Sequence, residues 1–195
     1  MFNISEFISN GLIGGGARPS NFQVSIFTPF TSTNESRTNF LVSASELPSS
    51  PIEQIPVHYF GRQIKLAGNR TFPNWTVEVM NDEDFALKIM FENWSNRINA
   101  LISNRQSPDV LDNGYKSSGI VTQLGQDGSV LREYNIQGIW PTVISPIRLN
   151  WADGNSIETY QVDFSVDYWE PTSSGNPDDY TGTLSPDGVS STFVR

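Results

Sequence analysis

Ala67-Gly68-Asn69-Arg70-Thr71-Phe72-Pro73-Asn74-Trp75-Thr76-Val77-Glu78-Val79-Met80-Asn81-Asp82 holds a turn, a strand and a helix start in one short stretch. Gly68 and Asn69 supply turn chemistry, and Pro73 and Asn74 close the irregular part. Trp75, Val77 and Val79 then alternate with Thr76, Glu78 and Met80, the period of a strand with one face buried. Asn81 is expected to N-cap a helix, with Asp84 three positions on in a capping-box-like place. Asp82, Glu83 and Asp84 put negative charge where the helix dipole favours it.

That helix is expected over residues 82–101, with Leu87, Met90, Phe91, Trp94, Ile98 and Leu101 on one face at three- and four-residue spacing. No polar group is interleaved to orient a ligand, so the stripe reads as core. Residues 104–114 read as its polar exit loop. Beyond it lie strands and turns. Residues 116–124 and 130–137 form a hairpin around Gly125-Gln126-Asp127-Gly128. Residues 146–151 and 157–169 are expected to form a second, across Ala152-Asp153-Gly154-Asn155. In its long last strand Tyr160, Val162, Phe164, Val166 and Tyr168 mark the core face, and Thr159, Gln161, Asp163, Ser165 and Asp167 the polar one.

Upstream, Phe22, Val24 and Ile26, and again Phe40, Val42 and Ala44, alternate as strands, with residues 31–39 a polar loop between them. Residues 1–16 combine Phe2, Ile4, Phe7, Ile8, Leu12 and Ile13 with Gly14-Gly15-Gly16, an apolar arm ending in a flexible joint. Residues 45–73 carry Pro48, Pro51 and Pro56 with Gly61 and Gly68, yet also Ile52, Ile55, Val57, Tyr59, Phe60, Ile64 and Leu66. A long connection with that apolar content must bury it, against a neighbouring subunit or its own domain, so these seven residues are the candidate inter-subunit loop. The chain therefore reads as an antiparallel β-sandwich or barrel-like domain with one packed helix.

The 195 residues fit one domain large enough for its own core. With no cysteine, disulfides, thiolate metal sites and cysteine nucleophiles are excluded together. Neither a basic run before an apolar core nor an apolar stretch of ~20 residues is present, so cytoplasmic folding is expected and a membrane span is not. The net charge of -9 argues against a conventional nucleic-acid binder, which neutralises phosphates with clustered cations. The one histidine, His58, lies in an apolar run with no partner to orient it. Asp82, Glu83 and Asp84 are accounted for by helix capping, and no P-loop, dinucleotide fingerprint or calcium loop occurs. No catalytic, metal or cofactor site is expected, and the chain is not read as an enzyme.

Several motifs resemble, in order, the tail tube proteins of contractile-tailed, T-even-like bacteriophages. Besides the Arg70 to Asp82 run they are Ala17-Arg18-Pro19 with Asn21-Phe22-Gln23-Val24, Ile55-Pro56-Val57, Gly138-Ile139-Trp140-Pro141-Thr142, Leu149-Asn150-Trp151 and Asp167-Tyr168-Trp169-Glu170. Residues 31–38 look inserted relative to that family, and the chain runs on past Glu170. The resemblance covers a tube domain (17–170), between the N-terminal arm (1–16) and a C-terminal extension (171–195); in that extension a polar linker is expected to lead into a β-hairpin around the turn sequence Ser185-Pro186-Asp187-Gly188.

It further implies a structural virion protein of the tail, assembled in the host cytoplasm: hexameric rings stacked into an inner tube through which DNA passes without specific binding. The implied partners are other copies of itself, the sheath, the baseplate or tube initiator, the tape measure protein and the tail terminator. Thr159, Gln161, Asp163, Ser165 and Asp167 would then face the lumen, the acidic surface repelling DNA. Alternatives are a baseplate tube initiator, or a type VI secretion or contractile-injection tube. Outside the tube class, five tryptophans on a β-rich chain suggest a cytoplasmic carbohydrate-binding β-sandwich.

Overall fold

The computed structural model describes residues 7, 16–30, 34–108 and 114–172. The N-terminal arm, apart from residues 7 and 16, and the C-terminal hairpin expected after residue 172 lie outside the described residues, as do residues 31–33 of the expected insertion. Nine strands and two α-helices are described: β1 (Phe22–Ile26), α1 (Thr38–Leu41), β2 (Val42–Ser45), β3 (Ile52–Tyr59), β4 (Arg62–Arg70), β5 (Trp75–Met80), α2 (Ala86–Ile98), β6 (Ser117–Leu124), β7 (Val130–Ile144), β8 (Thr159–Ser165) and β9 (Tyr168–Thr172). A 3-10 turn, Glu35–Arg37, precedes α1.

All strand pairings are antiparallel. One path runs β1-β6-β7-β8-β5-β2, with β9 added beside β7. The fifteen residues of β7 serve two layers. Its first part pairs with β6 and β9, and Trp140 to Ile144 pair with β8. The change of layer falls at Gly138, whose φ of 69° lies in the left-handed region that glycine enters without steric cost. There the register to β6 slips, Ser117 facing Ile139 and Ser118 facing Gln137, so Gly138 is the extra residue of a bulge that bends the strand.

The core follows the alternation. Trp75, Val77 and Val79 of β5 are buried, as are Tyr160, Val162 and Phe164 of β8, Ile136 and Ile139 of β7, and Val24 and Ile26 of β1. Helix α2 closes one side with Leu87, Met90, Phe91 and Trp94. The rings of Phe91 and Trp94 stand 5.8 and 6.1 Å from that of Phe164, and the Trp94 indole N–H donates to the Tyr115 carbonyl at 2.8 Å. Burying a side chain of this size contributes about 1.5–3 kcal/mol, and truncating Trp94 to alanine should cost about 3–5 kcal/mol.

Several expected boundaries move. The helix begins at Ala86 rather than 82: the residue at its N-cap is Phe85, at φ 54°, and the Asp84 carboxylate accepts from the Ala86 N–H at 3.1 Å. The Asn81 amide instead donates to Glu158 at 3.0 Å. The helix ends at Ile98, and Leu101 stands almost wholly exposed on the following turn, because Asn99 is extended and the Asn96 side chain accepts from the Leu101 N–H. Part of the expected polar loop 31–39 is helical, and Phe40 lies exposed on α1 rather than in a strand. The second hairpin pairs the end of β7, not residues 146–151, with β8. The expected last strand breaks at Val166 and Asp167, so Tyr168 falls in β9, half exposed, and Trp169 takes the inward place against Tyr134.

Candidate assembly surfaces

Residues 45–73, expected as a loop, contain a regular hairpin. Strands β3 and β4 pair with each other and with no strand of the larger sheet. Its tip is the two-residue turn Phe60-Gly61, both at positive φ (45° and 73°), the type I′ geometry whose twist matches paired strands. Glycine suits that geometry. Phenylalanine there costs about 1–2 kcal/mol, and its ring is 87% exposed.

Cross-strand partners share a face, and here the faces differ sharply. Ile55 opposes Leu66, Val57 opposes Ile64, and Tyr59 opposes Arg62, while Pro56 opposes Lys65 and His58 opposes Gln63. Five apolar side chains thus line one face, each at least 40% exposed, and Ile52 and Phe60 are exposed as well. All seven candidate inter-subunit residues therefore lie on this hairpin, in the open. A two-stranded ribbon is marginally stable in water by itself, and this one leaves its apolar face uncovered.

The second surface is the outer side of the β8–β5 layer. Thr159, Gln161, Asp163 and Ser165 alternate with the buried Tyr160, Val162 and Phe164 and share one side. Their neighbours on β5 are Met80, Glu78 and Thr76, and Val143 of β7 stands opposite Asp163. The Thr76 hydroxyl donates to the Asp163 carboxylate at 2.6 Å, which fixes the carboxylate, and among the described residues no cation pairs with its charge. Asp167 departs from the row. It sits past the break in the strand, where both its oxygens accept from Lys116, at 2.9 and 2.7 Å. The row thus holds four of the five expected residues. Glu78, not in the expected row, adds a carboxylate that the alternation of β5 had already placed on the polar side.

The tryptophans serve packing. Trp75 and Trp94 are buried, Trp140 meets Tyr115 edge to face, and Trp169 packs on Tyr134 and donates to the Ser49 carbonyl at 3.0 Å. Trp151 alone is fully exposed, so packing accounts for four of the five tryptophans that suggested a carbohydrate-binding reading.

Two antiparallel layers sharing a bent strand, closed by one helix and carrying a projecting hairpin, form a fold found in solved tube structures. The chain superposes with a TM-score of 0.59 on a chain of the PVC sheath-tube complex of an extracellular contractile injection system, 13% identical, covering 89% of this chain and all of that one. A chain of the anti-feeding prophage baseplate matches at TM-score 0.60 and 12% identity, covering 80% and 95%. A family model described as phage tail tube protein matches residues 17–171. The chain is 37% identical over 161 residues to tail tube protein gp19 of Enterobacteria phage T4, covering 80% of this chain and 93% of that protein, and 23% identical over 167 residues to the tail tube protein of Serratia phage KSP90, covering 84% and 93%. The chain belongs to the phage tail tube protein family, a family of structural virion proteins.

Proposed function

We propose that the chain is the repeating unit of hexameric rings that stack into the inner tube of a contractile phage tail, the conduit for DNA during ejection. The observation that carries this reading is the hairpin β3–β4, whose uncovered apolar face needs a partner. A neighbouring copy supplies one at every position of a repeating assembly. Joining sheets around a ring also removes exposed strand edges, and head-to-tail contacts that do not close propagate a filament.

In that assembly Thr159, Gln161, Asp163 and Ser165 face the lumen, with Asp167 at the end of the row. Short polar side chains neither stack on bases nor grip phosphates, and Asp163 with Glu78 repels them. The hairpin residues from Ile52 to Leu66 contact a neighbouring subunit. The sheath surrounds the tube, the baseplate initiator and tail terminator cap its ends, and the tape measure protein occupies the lumen before DNA does. Assembly takes place in the host cytoplasm, and no described helix is long and apolar enough to cross a membrane.

Gel filtration and negative-stain microscopy of the purified protein test this. Rings or rods are expected. A monomer that persists at high protein concentration, with no polymer even on added tail baseplates, would contradict it.

A further inference from the structure

We infer that the two ends of this domain are mates: the hairpin of one copy docks on the connection between β7 and β8, residues 145–158, of the next copy along the tube axis. The inference rests on the tube reading and assigns the receiving surface that it leaves open.

Strand register puts the two features at opposite ends. Strand β5 begins at Trp75, opposite Phe164 near the end of β8, and finishes at Met80, opposite Thr159 at its start. Ser45, the last residue of β2, faces Val77. The hairpin, held between β2 and β5, therefore leaves the domain at the Trp75 end. Residues 145–158 link the end of β7 to the start of β8 and sit at the Met80 end, where the Asn81 N–H donates to the Glu158 carbonyl at 2.8 Å. A hairpin leaving one end meets this connection on another copy stacked in the same orientation. Such a contact is heterologous and repeats without closing.

Each end carries what the other lacks. The connection exposes Leu149, Trp151 and Ile157, which with Ile147 border a recess of about 410 Å³. The apolar hairpin face has the chemistry to cover them. The charges are opposed as well. Arg62, Lys65 and Arg70 outnumber Glu53 on the hairpin, although the whole chain is acidic. At the far end the connection holds Asp153 and Glu158 against a single cation, Arg148, and Glu83 follows β5 between Asp82 and Asp84, which are both paired with Arg37. Opposite charge sets register and direction, and the apolar contact supplies the affinity. Two hairpins meeting each other would set cation against cation, so the same pattern disfavours head-to-head stacking.

The chain has no cysteine, so introduced thiols are unique reporters. Gln63→Cys lies on the polar hairpin face and Asn155→Cys on the connection, both exposed and clear of the apolar contact. The two variants are mixed, polymerised at high protein concentration or on purified tail baseplates, and treated with a short bis-maleimide. A dimer band in the mixed polymer, absent from either variant alone, is expected. Polymers that form but give no mixed dimer would overturn this contact while leaving the tube intact. Failure of the unmodified chain to polymerise would overturn the tube and the contact together.

Discussion

The Asp167 carboxylate lies directly against the backbone of Gly138, in the space that a Cβ on that residue would occupy. The two positions are far apart in sequence and meet where β7 changes layer, with the Asp167 N–H donating to the Gln137 carbonyl at 3.1 Å. Two demands fall on position 138: a φ of 69° and no side chain.

Gly138→Ala should therefore destabilise the domain by about 1–3 kcal/mol. At about 2–4 °C per kcal/mol this is a measurable fall in Tm. Adding Asp167→Ala removes the collision but not the backbone strain, so the double variant should recover part of the loss. A Gly138→Ala protein as stable as the parent would remove the bend from the account of the fold.

Arg37 clamps the start of α2 by donating to Asp82 at 2.6 Å and to Asp84 at 2.7 Å. The hydrogen bond from Arg37, with that from the Ala86 N–H, holds the Asp84 carboxyl below the usual carboxylate range. A depressed folded-state pKa contributes stability above the unfolded value near 3.9, lost as pH falls through the lower folded one. Arg37→Met should thus lower the urea midpoint at pH 7 and lose its effect in acid. A pH-independent difference would mean that packing, not charge, is what the clamp provides.

Tyr160 carries a buried hydroxyl with no hydrogen-bond partner among the described residues, beneath Lys88, whose ammonium lies 5.1 Å from the ring centre. Burial, and then the nearby Glu92 carboxylate, push its ionisation well above that of a free phenol. The stability this raised pKa provides is present below the unfolded value near 10 and is lost as pH climbs beyond it. Tyr160→Phe removes an unsatisfied polar group without changing shape, so it should be neutral or stabilising by up to about 1 kcal/mol. A loss above that in urea titration would reveal a partner for the hydroxyl.

The wall has its own test. DNA carries about one charge per 1.7 Å of its axis, and salt screens beyond ~8 Å, so lining charge acts at short range. Asp163→Lys with Asp167→Lys should leave assembly possible but make tubes retain DNA and eject it slowly. Asp163 should dominate, because Lys116 already offsets Asp167. Ejection at the parental rate in the double variant would remove these side chains from the channel.

What could be read from the chain alone follows a physical divide. Alternation exposed β5, β6 and the first part of β8, because a strand with one face buried writes its period into the sequence. The helix face was equally plain from Leu87 to Trp94. Its ends were not: Asn81 has N-cap chemistry, but Glu158 takes its side chain, and Asp84 caps one turn later. The hairpin was hidden because its prolines and glycines read as loop, and because both strands are exposed along their length. The break after Ser165 was hidden by continued alternation. Only the partners of Asp167, namely Lys116, Gln137 and the vacant side of Gly138, explain why the chain turns there.

The most direct measurement is a cryo-EM map of the polymer at a resolution that shows side chains. The expected map is a tube whose inner wall is the outer face of β8 and β5, with Thr159, Gln161 and Asp163 lining the channel and each hairpin in contact with another copy. A polymer whose channel is lined by other elements, with β8 turned to the outside, would contradict it.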